Sequence, residues 1–280
     1  MKGQFDRMEH SIFYSIIVVC LNPGSRLMET IESITSQDYG KYEIIVKDGL
    51  STDGSLEKLQ TEAAKVDSRI HIYEQPDSGI YDAMNQAVKY ANGDYFLFLN
   101  AGDSFYDKEV LNKITDAILK ERPDIVYGNL YHKALKSVIQ SAPYMNDFTC
   151  YRNVPCHQTC FYRRELFEER GYDPVYNVRA DYEHFLWCYY KKKAKIKYAA
   201  VTVAAYEGGG YSETTENRKK SALQHKEITR FYMGRAKAGK YHAMMVLSLA
   251  PLRTKLAESE KFSGLYNHLK SNIYKIRKGK

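Results

Sequence analysis

Apolar and polar residues alternate along the first hundred positions in a repeating strand–helix rhythm. Tyr14 to Cys20 is a continuous apolar, β-branched run and predicts a strand buried on both faces. Asn22-Pro23-Gly24 breaks it, and Leu27, Ile31 and Ile34 then recur at helical spacing. Glu43 to Lys47 predicts a second strand, followed by the loop Asp48 to Gly54, in which Asp53 is placed to cap the helix carrying Leu56, Leu59 and Ala63. Arg69 to Tyr73 predicts a third strand. Glu74 to Gly79 forms a turn, and Ile80, Met84, Ala87, Val88 and Ala91 mark a third helix. Asn92-Gly93-Asp94 ends that helix, and Tyr95 to Leu99 reads as a fourth strand.

This βαβαβαβ order predicts a parallel sheet with helices on both faces. Ligands of such sheets bind beyond the carboxyl ends of the strands. Asn22, Asp48, Glu74 to Asp77 and Asn100 to Asp103 should therefore share one edge, which locates a polar, acid-bearing site.

The second half is less regular. Val110, Leu111, Ile114 and Ile118 make a helix, and Asp124 to Tyr127 a strand. Short antiparallel strands are expected within 130–161, helices over Arg163 to Arg170 and Asp181 to Tyr190 with Phe185 and Trp187 as core anchors, and a strand over Ile196 to Ala205.

Charge changes the picture of the C-terminal quarter. Residues 211–280 carry 16 Lys and Arg against 5 Asp and Glu, whereas residues 1–210 carry 25 against 29. The net charge of +7 thus arises from a basic block on a mildly acidic body. The apolar patch Ala243 to Leu252, flanked by Lys237, Lys240, Arg253 and Lys255, reads either as a membrane-surface element or as a helical cap or dimer contact. It is too short to span a bilayer. Five cysteines in no scaffold spacing favour a reducing compartment, and Cys156-His157-Gln158-Thr159-Cys160 lacks the paired second half of a zinc site. The start of the chain shows no secretory leader pattern, so a cytoplasmic location is expected.

The ordered set Ile16 to Val19, Asn22, Lys47-Asp48-Gly49-Leu50-Ser51-Thr52-Asp53-Gly54, Ser78-Gly79-Ile80-Tyr81-Asp82-Ala83-Met84-Asn85, Ala91 to Tyr95 and Phe98-Leu99-Asn100-Ala101-Gly102-Asp103 resembles the inverting, GT-A-fold glycosyltransferases of family 2. Cys156-His157-Gln158 and Ala180-Asp181-Tyr182-Glu183 extend the resemblance, which spans roughly residues 14–210. It implies a Rossmann-like, mainly parallel sheet. The GT-A domain would cover 1–215, with a nucleotide-binding half over about 12–105 and an acceptor half over about 106–215, and a basic helical extension would follow over 216–280.

The implied activity is transfer of a sugar from a nucleotide sugar, most often a UDP-sugar, to a hydroxyl of a glycan or polyprenyl-diphosphate-linked acceptor in surface polysaccharide synthesis. Such chemistry needs a cation for the departing diphosphate and a base for the acceptor hydroxyl. By resemblance Asp103 would be the metal ligand for Mn²⁺ or Mg²⁺ and Asp181 the catalytic base. Val19, Asn22, Asp48, Ser51, Asp82, Asn85 and Asn100 would contact the nucleotide sugar, and His157, Gln158 and Glu183 the donor sugar or acceptor. Glu183 competes with Asp181 for the role of base, and Asp181 also suits a helix N-cap.

The chain departs from the family pattern at Asn100, where an acid is usual, at Gly102, and at Met84, where an arginine is common. Glu207 with Gly208 to Gly210 resembles a mobile loop over the donor. Two other classes compete. A nucleotidyltransferase would want more basic residues after the first strand than Arg26 alone. A nucleic-acid-binding protein would not place acids at four strand ends. Nucleic acid is therefore not expected as a partner, and oligomerisation stays open.

Overall fold

The structure, a computed structural model, describes residues 11–247 apart from positions 64, 66 and 209–213. Strands β1 (Tyr14–Cys20), β2 (Tyr42–Asp48), β3 (Ile70–Glu74) and β4 (Tyr95–Phe98) alternate with helices α1 (Arg26–Thr35), α2 (Ser55–Glu62) and α3 (Ile80–Val88). Then come β5 (Ser104–Phe105), α4 (Val110–Glu121), β6 (Ile125–His132), β7 (Ser137–Ile139), α5 (Asp147–Arg152), a 3-10 turn over His157–Thr159, β8 (Cys160–Arg163) and α6 (Arg164–Glu169). Helix α7 (Ala180–Tyr190), strand β9 (Ile196–Tyr206), and helices α8 (Thr215–Met233) and α9 (Arg235–Leu247) complete it.

All strands join one sheet in the order β3-β2-β1-β4-β8-β6-β9-β5, with β7 on β6. Pairings β1–β2, β1–β4 and β2–β3 are parallel, so the four strands of the first half all end at one edge, as their sequence order requires. Every residue of β1 and β2 is buried, the pattern of strands covered on both faces. The second half is mixed. β8 runs antiparallel to β4 and β6, β5 antiparallel to β9, and β9 parallel to β6.

Helix faces divide the core in two. Leu27, Ile31 and Ile34 of α1, Leu56 and Leu59 of α2, and Val110 to Ile118 of α4 cover one side of the sheet, against Ile16, Val18, Ile44, Val46 and Leu97. On the other side Ile17, Val19, Ile45, Phe96 and Phe98 meet Tyr81 and Met84 of α3, Phe167 of α6, Phe185 and Leu186 of α7, and Ile228 and Met233 of α8. Each fully buried side chain of this size contributes roughly 1.5–3 kcal/mol. The expected anchors Phe185 and Trp187 are both buried.

Several local expectations are corrected. Gly54, in the left-handed region at φ +80°, occupies the N-cap of α2 in place of Asp53. Asp53 instead accepts from the Ser55 N–H at 3.1 Å and the Gly24 N–H at 2.8 Å, tying the first two loops together. Helix α5 was not foreseen within 130–161; a capping box between Asn146 and Thr149 starts it. The helical C-terminal block, described as far as Leu247, packs on the body through Ile228, Met233 and Ala238. Of the apolar patch 243–252 and its basic flanks, positions 248–280 lie outside the described residues, as do Gly209 and Gly210 of the glycine run. Among the described residues no helix is long and apolar enough to cross a membrane.

Candidate active site

At the carboxyl edge of the parallel strands, the loops after β1 and β2 are bolted together. Asn22, at φ +48°, donates its backbone N–H to Ser51 Oγ at 2.7 Å and accepts from the Thr52 N–H at 2.8 Å. Asp48 is fully buried at the end of β2. One of its oxygens accepts from the Ser51 N–H and the other from the Ser51 hydroxyl, both at 2.6 Å. The same carboxylate receives Cys20 Sγ at 3.3 Å. Burial, with Asp48 beside it, pushes that thiol well above the ordinary range.

Lys47, on β2 and wholly buried, reaches across to Asp77 and to the Gln75 carbonyl at 2.6 Å, joining the loop after β3 to the other two. A Cβ at Gly49 would meet Asp77 Oδ2 at 2.9 Å, so any larger residue here pushes that carboxylate away from its place beside Lys47. The buried Lys47–Asp77 pair escaped the sequence reading; an isolated lysine in an otherwise apolar strand was its signal.

A cleft of about 540 Å³ opens beside this edge. Five of the expected residues line it: Asn100, Asp103, His157, Gln158 and Asp181. They come from the loop after β4, the turn before β8 and the first turn of α7; Asn100 and His157 are 57 positions apart and His157 and Asp181 are 24 apart. His157 Nδ1 lies 3.1 Å from Asp181 Oδ2, and its Nε2 lies 3.3 Å from Asn100 Nδ2. Tyr81 donates its hydroxyl to Asp181 Oδ1 at 2.9 Å. Burial alone would raise the Asp181 carboxyl, but His157, Tyr81 and the Tyr182 N–H outweigh it and hold the group below its ordinary value. Asp181 is the second residue of α7, inside the helix rather than at its cap.

Asp103 is 7 % exposed. Burial raises its carboxyl to about 6, against the opposing pull of His157 and a hydrogen bond from Gln158. It is a buried carboxylate short of positive charge. Near it, Asn100 Oδ1 is buried without a hydrogen-bond partner. A buried carboxylate and an orphaned carbonyl oxygen fit a hard divalent cation that completes its shell with water and phosphate oxygens. Among the described residues no cluster of three or more His, Cys, Asp or Glu could hold a metal by itself.

Other expected residues sit elsewhere. Val19 is a core residue whose backbone carbonyl accepts from the Ala101 N–H at 3.4 Å. Asp82, in the first turn of its helix, accepts from the Ser78 N–H at 2.8 Å, a bond that holds its carboxyl below the ordinary range. Asn85 spends both ends of its amide on the Tyr172 backbone, at 2.8 Å each, and holds α3 to the segment before α7. Glu183 faces away from the cleft and pairs with Arg170 and Tyr232 in the helical layer. The reason is helical geometry: two residues on from Asp181 is about 200° around the axis. Its assignment to the sugar or acceptor side, and its rivalry with Asp181, are thereby withdrawn.

Three arginines missed in the sequence also line the cleft: Arg26, Arg179 and Arg218. Only the excess of basic residues near the chain's end hinted at the last.

The family model described as Glycosyl transferase family 2 matches residues 15–171, which carry β1 through α6 and so the Asp48 loop, Asn100, Asp103 and His157. The chain belongs to glycosyl transferase family 2. It is a glycosyltransferase of GT-A fold. A Mycobacterium bovis BCG protein named PGL/p-HBAD biosynthesis glycosyltransferase is 35 % identical over 209 residues, covering 74 % of this chain and 81 % of that protein. Staphylococcus aureus TarS 1–349 superposes with a TM-score of 0.64 at 19 % identity, over 81 % of this chain and 68 % of that one. A Pyrobaculum calidifontis mannosyltransferase, solved with GDP-Man and Mn²⁺, gives 0.61 at 16 % identity, over 90 % and 82 % of the two chains. These two structures support the fold.

Proposed function

We propose that this glycosyltransferase moves a sugar from a UDP-sugar to a hydroxyl of a glycan or lipid-linked oligosaccharide, with inversion, in surface polysaccharide synthesis. The observation that carries the reading is the meeting of Asp181 and Asp103 in one cleft at the carboxyl edge of the sheet. One carboxylate is held ionised by His157 and Tyr81, as a base must be. The other is buried and only partly compensated by the charges around it, as a cation ligand would be.

Asp181 takes the proton of the acceptor hydroxyl as that oxygen attacks the anomeric carbon. His157 and Tyr81 fix the carboxylate's orientation, leaving its remaining lone pairs for the acceptor. The nucleoside lies against the loops tied by Asn22, Asp48 and Ser51. Asp103 with the Asn100 carbonyl would hold a divalent cation, Mn²⁺ or Mg²⁺, which would supply charge neutralisation for the leaving diphosphate. Gln158 orients Asp103, and Glu207 and Gly208 border the same cleft. TarS 1–349 has been solved with UDP and with UDP-GlcNAc, which supports a uridine nucleotide as donor here.

The basic block suits contact with the inner face of a cell membrane, where a polyprenyl-linked acceptor would be met. Exposed Leu223, Phe231, Val246 and Leu247 beside Lys219, Arg230 and Lys240 support that reading.

Calorimetric titration of UDP and GDP, with and without Mn²⁺, tests the core of it. UDP should bind with Mn²⁺, and Asp103→Ala should weaken that binding at least tenfold. Absence of binding by either nucleotide, with or without the cation, would overturn the donor assignment.

A further inference from the structure

The cleft holds cations on two sides. Arg26 opens α1, and its Cδ lies 3.5 Å from the position a Cβ would take on Gly102, next to Asp103. Arg179 and Arg218 come from the opposite face of the sheet, the face of α7 and α8. Arg179 immediately precedes α7, two residues before Asp181. Its Nε donates to Ser221 Oγ at 2.7 Å, and its guanidinium lies 5.3 Å from the Tyr182 ring. Arg218 and Ser221 are three apart on α8 and share one helix face. Neither arginine forms an ion pair with a carboxylate among the described residues, although Asp181 and Glu207 line the same cleft. Asp181 is engaged by His157 and Tyr81, and Glu207 lies 3.7 Å from Lys133. Two guanidiniums with open forks, one pre-positioned by a hydroxyl and an aromatic ring, are built for a tetrahedral oxyanion.

Their place decides which substrate brings it. In an in-line displacement the nucleophile and the leaving group lie on opposite sides of the reacting carbon. Cations beside the base therefore serve the acceptor, whereas Arg26 beside Asp103 serves the departing diphosphate. We propose that Arg179, Arg218 and Ser221 form a binding site for a phosphoryl group of the acceptor. The acceptor sugar is thus a short one, still close to its own phosphate ester, and not the remote end of a long neutral chain. This rests on the proposed role of Asp181 as base.

Methyl phosphate, a monoester that chelates the cation weakly, serves as the probe. It is titrated onto the full-length protein saturated with UDP and Mg²⁺, for wild type, Arg218→Gln and Ser221→Ala. Arg218 is exposed and makes no ion pair among the described residues, so Arg218→Gln removes no buried contact of the fold. The expected result is saturable methyl phosphate binding, weakened at least tenfold by Arg218→Gln, with the UDP affinity within twofold of wild type. Two results overturn the proposal. One is methyl phosphate failing to saturate on the UDP-loaded protein. The other is competition with UDP together with a tenfold loss of UDP affinity in Arg218→Gln, which assigns these cations to the donor. Should UDP itself not bind, the donor assignment fails separately. Methyl phosphate titrated onto the free wild type and Arg218→Gln then still decides whether the site exists.

Discussion

His157 Nδ1 stands 3.1 Å from Asp181 Oδ2, and this contact joins the turn before β8 to the first turn of α7. With a proton on Nδ1, the ring donates to the carboxylate and its Nε2 accepts from Asn100 Nδ2 at 3.3 Å. That orientation of the Asn100 amide directs its carbonyl away from the ring, where it is buried without a partner. An aspartate at position 100 would instead accept from the ring. The departure from the usual family acid thus has a local consequence: His157 spends its proton on Asp181 alone.

Asp181→Asn should reduce kcat by about 10²–10⁴-fold, the usual span for a general base, while UDP affinity stays near wild type. His157→Gln removes the strongest influence holding the Asp181 carboxyl down. Asp181 must be deprotonated to act, so raising its pKa moves the acidic limb of the kcat/KM profile to higher pH. An acidic limb that stays in place in His157→Gln would remove His157 from this role.

Asp103 carries the opposite perturbation. Its carboxyl sits at about 6 against an ordinary 3.8, because burial penalises the charged form. The folded protein therefore binds a proton more tightly than the unfolded chain, and stability falls as pH rises from about 4 to 6. Well above 6 the destabilisation is fully present, on the order of 3 kcal/mol. Asp103→Asn should raise the Tm at pH 7.5 without metal or nucleotide while abolishing Mn²⁺-dependent UDP binding. A variant that loses binding and stability together would mean that Asp103 is structurally satisfied.

The alternation of apolar runs and polar breaks placed the four parallel strands to within about a residue, because β1, β2 and β4 are buried throughout while the edge strand β3 is short and bounded by polar segments. The gathering of the strand-end loops at one edge followed from topology alone. Periodicity could not disclose where side chains of helix residues point once several faces are buried. Helix α7 is buried nearly all round, from Ala180 through Cys188, so Asp181 and Glu183 look alike in sequence although they face different neighbours. Asn85 and Asp82 likewise share a helix, but pairing with Tyr172 and Ser78 depends on segments that sequence cannot bring together. Arg179 and Arg218 acquire meaning only when α7 and α8 meet at the cleft.

Glu183 supplies a contrast to Asp181. It is 4 % exposed and bonded to Arg170 and Tyr232, so Glu183→Gln leaves the guanidinium without its carboxylate. Breaking a buried pair costs about 3–5 kcal/mol, and the 29 % exposure of Arg170 puts this one toward the lower end. The Tm should fall by several degrees, with kcat per folded molecule unchanged. A large loss of kcat at temperatures where the variant is folded would return Glu183 to the catalytic machinery.

His184 offers the clearest pH dependence of stability. The ring is fully buried, stacked on Phe167 at 4.4 Å between centroids, with Nε2 2.9 Å from the Arg170 carbonyl. Burial drives its pKa down to about 3, so the folded protein keeps it neutral while the unfolded chain protonates it near 6.5. Between those values the unfolded state binds more protons, and stability falls as pH falls from about 6.5 toward 3. At pH 5 the loss from this one group is about 2 kcal/mol. A ΔΔG of that size shifts the Tm of a chain this long by about 4–8 °C. His184→Gln retains a donor for the Arg170 carbonyl but cannot titrate. Its Tm should start lower than wild type at pH 7.5 and converge on it as pH drops to 5. Parallel Tm curves for the two proteins across that interval would show that His184 does not govern the acid sensitivity.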